Sequence, residues 1–141
     1  MDFELLFSLV GLLAMAGWVG LFVSPWTPKG SDLFAGTIVP VLLATTYLGV
    51  LLSSPDESGG FGSFAEVMEL FGHPGAVMAG WIHFLAFDLV VGAWAVRVGR
   101  REQIPFWAVA CCLPVIFMLG PLGFLLFNGV RGVRRIRGRS N

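Results

Sequence analysis

Charge is what this sequence has least of. Only 13% of its 141 residues are Asp, Glu, Lys or Arg, against 56% hydrophobic, and the mean hydropathy is +0.81. A soluble domain must cover itself with polar side chains, and this composition cannot supply them. Cysteine is equally sparse. The two present, Cys111 and Cys112, are neighbours. A bridge between them would be strained, and no second pair exists to complete a metal site, so they read as small apolar residues. Metal ligation is not expected. The chain also lacks a phosphate-binding glycine loop, a Ser/His/Asp arrangement and any zinc spacing. Its basic C-terminal stretch has no nucleic-acid-binding module beside it, so no nucleic acid is expected as a partner.

What is present is apolar chain in long runs. About twenty apolar residues are needed to cross roughly 30 Å of hydrocarbon as a helix, and the sequence offers four such runs. The pattern predicts an all-α, polytopic membrane protein. It would be a bundle of four transmembrane helices over about 3–24, 33–53, 74–97 and 106–127, plus a short interfacial amphipathic helix. A basic tail over 129–141 completes a single membrane domain, 1–141. The first run is preceded by Asp2 and Glu4 where a secretory leader carries basic residues, so it reads as a retained anchor. Pro25-Trp26-Thr27-Pro28 ends it.

Ser31 or Asp32 is the expected cap of the second helix, and Pro40 its expected kink. Thr45 and Thr46 are expected to bond back to their own helix, while Tyr47 is open to a polar-lining role. After the loop Ser54 to Gly62, Ser63 and Glu66 fit a capping box. They open a short stretch to Phe71 whose Phe64, Val67, Met68 and Phe71 share a face, so it should lie in the interface. His73, at the entry to the third helix, reads as structural.

The third run carries His83 and Asp88 deep in apolar sequence. Ionisable groups there are costly and ordinarily face protein or water. At 100° per residue the two lie about 140° apart, on different faces. Ala79, Ala86 and Ala93 form a stripe of small residues on which a neighbouring helix can pack. Asp88 falls on the other side, near Gly92. The helix is therefore expected at the bundle centre, with His83 and Asp88 either gluing helices together or transferring protons. In the fourth run, Pro114 and Gly120-Pro121 are expected to break the helix, and the carbonyls they free need partners inside the protein or in a wet cavity. With four crossings, Arg97, Arg100 and Arg101 fall opposite the arginines of 131–139. The charge bias then nearly balances, and both termini are assigned to the cytoplasm.

Trp81-Ile-His83-x-Leu-x-x-Asp88-Leu, followed by Gly92 and Trp94, resembles the signature of the abscisic-acid-deficient-4-like family. The order of segments is similar too. A first helix and a proline-marked second precede a Phe-rich segment ending in Leu70-Phe71. The Trp-His-Asp helix and a fourth bearing Pro114 and Gly120-Pro121-x-Gly123 complete the series. Ala93-Trp94 departs from the basic residue expected near that point in relatives. The resemblance implies a carotenoid-linked membrane protein, similar to the plant member needed to make neoxanthin from violaxanthin. The implied chemistry is opening of a 5,6-epoxide with loss of a proton to give an allene, an isomerisation that needs no redox cofactor. His83 and Asp88 would be the base and acid, with Trp81, Phe87, Trp94 and Tyr47 lining a site for an apolar carotenoid or isoprenoid. The alternative is a non-catalytic lipid- or carotenoid-binding protein, or an assembly partner for another membrane enzyme. Membrane lipids and either a second copy or a membrane enzyme are the expected partners, and a bacterial inner membrane the expected location.

Overall fold

The computed structural model describes residues 2–54 and 58–139, and among them there are helices and no strand. Helix α1, Phe3–Phe22, starts at Asp2, whose carboxylate accepts the Leu5 N–H at 3.1 Å. That cap satisfies one of the amides a helix start leaves free. Helix α2 runs Pro28–Ser53. It begins earlier than Ser31 or Asp32 would have it, because Pro28 takes the first helical position, where its missing N–H costs nothing. Asp32 therefore lies inside the helix, and its carboxylate pairs with Arg100 at 2.8 and 3.1 Å. The bend expected from Pro40 takes the form of a π-helical turn, Phe34–Ile38, immediately before it. There the Val39 N–H reaches back five residues to the Phe34 carbonyl, the usual form of a local widening. Thr45 and Thr46 bond back to the Val41 and Leu42 carbonyls at 2.8 and 2.9 Å, as expected.

Helix α3, Phe64–Leu70, is capped by Ser63, whose Oγ accepts the Glu66 N–H at 3.2 Å. Glu66 reaches back to the Gly62 N–H at 3.1 Å. Helix α4, Pro74–Arg101, is the long central element at 28 residues, about 42 Å. Its stripe of Ala79, Ala86 and Ala93 is buried, and so are Gly92 and Gly99. Helix α1 runs parallel to it: Phe7 stacks on Trp81, and a side chain at Gly17 would fall 2.6 Å from Leu89 Cδ2. Helix α2 runs antiparallel, with its start at Arg100 and Tyr47 beside His83.

The chain leaves α4 through Gln103, in the left-handed region at φ 53°, with Ile104 N–H on the Gly99 carbonyl at 2.8 Å. This is the hydrogen-bond pattern that closes helix ends and usually employs glycine. Helix α5, Phe106–Met118, then returns alongside α4. Pro114 sits within it without ending it. The break comes at Leu119, and α6, Gly120–Arg139, turns back on α5. The register leaves no ambiguity. Gly120 lies against Asp88, halfway along α4, while Trp94 meets Phe124 and Phe127, and Arg131 reaches Glu102 beyond the end of α4. Gly123 permits the tight fold-back, since a Cβ there would come within 2.5 Å of Ile116 Cα.

Three helices are thus long and apolar enough to cross a membrane: α1, α2 and α4. The run at 106–127, expected as a fourth crossing, is instead two helices folded at Leu119 and entering and leaving at one end. The stretch expected as a basic tail is helical to Arg139. All nine Lys and Arg residues now belong to that same end. Lys29 is at the start of α2, Arg97, Arg100 and Arg101 close α4, and the rest lie on α6 from Arg131 onward. Asp2, Glu4, Glu66 and Glu69 are at the other end.

Candidate functional site

The hairpin covers only the half of α4 that leads to Arg101. The other half is flanked by α1 and α2, with the Phe71 ring against Gly80. This decides where His83 and Asp88 sit. Asp88 is 7% exposed, and its Oδ2 is fully buried without a hydrogen-bond donor among the described residues. It packs against Gly120, the first residue of α6. That places the N-terminal end of a 20-residue helix beside the Asp88 carboxyl group. Trp18 also abuts this region, edge-on to Phe117 and filling the space beside Gly92, with its Nε1 buried and without a hydrogen-bond partner among the described residues.

His83 is on the outside of the bundle, not in its core. The 140° separation read from the sequence holds: the hairpin meets Asp88 through Gly120, while His83 lies beside Tyr47 of α2. The imidazole stacks on Phe87 at 4.5 Å, one turn along α4, and faces the Tyr47 ring of α2 at 6.0 Å. Phe87 is 58% exposed. The exposed His83 and Phe87 rings and the half-buried Tyr47 ring thus form an aromatic shelf with one imidazole and one phenol.

The other two aromatic residues expected to line a ligand site lie elsewhere. Trp81 is held between Phe7 and Phe84, at 5.2 and 5.5 Å, and borders a groove of about 350 Å³ between α1 and α4. Trp94 faces the hairpin, against Phe124 and Phe127 and under the Arg131 guanidinium at 5.6 Å. Cys112 is buried, with Sγ on the Ala108 carbonyl at 3.3 Å, and Cys111 is exposed. Among the described residues, no three His, Cys, Asp or Glu side chains gather in a way that could hold a metal ion.

The profile of one protein family, described as ABA DEFICIENT 4-like, matches residues 5–127. The chain belongs to that family. The matched region takes in α1 through most of the hairpin, including His83, Asp88 and the Gly120-Pro121 break. No curated protein and no solved structure shows a match. The family match bears out the resemblance read from Trp81, His83 and Asp88.

Two features of the site were missed in the sequence. Gly120, noted only as a helix breaker, makes room for the Asp88 carboxylate. Glu102 clamps the hairpin to α4 through Arg131 and through Arg135 at 2.7 Å. A carboxylate 29 residues from its arginine leaves no local periodicity to find it by.

Proposed function

We propose that the protein takes an elongated, apolar isoprenoid of the carotenoid class from the bilayer and isomerises it by proton transfer at His83. The observation that carries this reading is the shelf of Tyr47, His83 and Phe87. An imidazole on the outer face of a membrane helix, with no hydrogen-bond partner among the described residues, meets hydrocarbon unless a ligand brings it a polar atom. A long polyene lying across three rings, with one oxygen among its carbons, satisfies both requirements. Membrane ionisable groups of this kind mark functional sites by default.

For a 5,6-epoxide the step balances without a cofactor. The His83 imidazole takes a proton from carbon, the C–O bond breaks, and the Tyr47 phenol gives its proton to the departing oxygen. Transfer of the proton from imidazolium to phenolate restores both groups. Asp88 acts through the hairpin, holding the tip of α5 and α6 against α4, because it faces away from the shelf. The chain makes three crossings and one re-entrant hairpin. By the excess of Lys and Arg on cytoplasmic segments, the end carrying Arg101 and Arg139 faces the cytoplasm of a bacterial inner membrane, and the Phe3 end faces the other side.

The separation of Asp88 from His83 favours a second reading, in which the shelf binds pigment without acting on it. Expression in a host that accumulates epoxidised carotenoids decides between them. Chromatography of total and co-purified pigments should show a rearranged carotenoid that His83→Ala abolishes at unchanged protein level. Bound but unaltered pigment supports the second reading. A colourless protein and an unchanged pigment pool exclude both.

A further inference from the structure

Open space lies along the hairpin. It is a groove of about 830 Å³ between α5 and α6, bordered by Trp107, Cys111, Leu126, Gly129, Val133 and Arg134. Its floor is made of small residues. Gly129 is exposed, and a side chain added there would meet nothing within 4 Å, so the groove is open at this point. Along α6 the groove extends from Leu126 to Arg134, about 12 Å, with its apolar part toward the hairpin tip and its cation at the end shared with Arg101.

Charge decides what fits. Arg131 and Arg135 are engaged by Glu102, and Arg100 by Asp32. Arg134, about 60° round α6 from Arg131 and about 100° from Arg135, borders the groove and has no carboxylate partner among the described residues. Trp107, 71% exposed at the start of α5, borders the groove at the end that carries the arginines, and indoles favour the headgroup boundary. The groove therefore presents apolar walls to hydrocarbon and one unpaired guanidinium to the headgroup layer. We propose that it is a binding site for one anionic phospholipid, with an acyl chain along Gly129 and the phosphate on Arg134.

Native mass spectrometry of the full chain, released from bilayers containing phosphatidylglycerol and phosphatidylcholine with identical chains, tests this. The wild type should retain one phosphatidylglycerol in preference to phosphatidylcholine. Arg134→Gln should cut that preference about fivefold, the value of one surface cation near an anionic leaflet. Gly129→Trp fills the groove without a clash and should reduce retention of both lipids to background, with helix content unchanged. Gly129→Leu repeats the test with a smaller group should the tryptophan variant not fold. Equal retention of the two lipids by the wild type, an unchanged preference in Arg134→Gln, or wild-type retention in the filled variants overturns the proposal. A bilayer readout runs in parallel. Phosphatidylglycerol with brominated chains should quench a fluorescence component that Trp107→Phe removes, and no such component overturns it equally.

Discussion

Placing a methyl group at residue 120 tests the packing of the hairpin tip. A Cβ on Gly120 would lie 2.9 Å from Asp88 Cγ and closer still to Oδ1, well inside contact distance. Asp88 cannot swing away easily, since it is 7% exposed and its neighbour Leu89 is fully buried. Overpacking of this kind costs about 1–3 kcal/mol. Against it, alanine is preferred over glycine in a helix by about 0.5–1 kcal/mol. Gly120→Ala should therefore destabilise by about 0–2.5 kcal/mol in net terms. In an Asp88→Ala background the clash is gone and the same change should be neutral or stabilising. The two substitutions should then show a coupling of about 1–3 kcal/mol. Reversible unfolding in mixed micelles, followed by circular dichroism over a series of sodium dodecyl sulfate fractions, measures each corner of the cycle. Additivity to within about 0.5 kcal/mol would refute the placement of the Asp88 carboxylate in the space that Gly120 leaves.

Three further outcomes follow from the same geometry. Glu102 is held at a pKa of about 2, below the ordinary 4.5, by its hydrogen bonds to Arg131 and Arg135 and their charge. A folded pKa below the unfolded one gives stability that is present above pH 4.5 and lost as pH falls toward 2. The thermal midpoint in detergent should drop across that window, and Glu102→Gln should remove the dependence. Gly123→Ala drives a methyl into the Ile116 backbone and should cost about 3 kcal/mol or more, read as loss of folded protein by size exclusion. Gln103→Gly relieves a left-handed residue at φ 53° and should raise stability by about 1 kcal/mol, measured by the same micelle titration.

Much of the fold was legible because the membrane enforces simple rules. Apolar length marked α1, α2 and α4, Ser63 announced α3, and the alanine stripe marked the buried face of α4. The angular separation of His83 and Asp88 came directly from helix geometry. What the sequence did not carry was the direction of the chain after Gly120-Pro121. Residues 106–127 are as apolar and as long as a crossing helix. Only distant contacts reveal the reversal: Gly123 on Ile116, Asp88 on Gly120, and Glu102 on Arg131. Pro114 misled in the other direction, since it is tolerated within α5. The reversal also explains why arginines that seemed to balance across the membrane gather at one end.

Crossing parity tests this account most directly. A reporter active only in the cytoplasm and one active only outside it can each be fused ahead of Phe3 and beyond Arg139. Three crossings and a hairpin place these points on opposite sides, with the Arg139 end in the cytoplasm. Both on one side would mean that residues 106–127 cross the membrane. The exposed position of His83, and the function proposed for it, would then lose their basis.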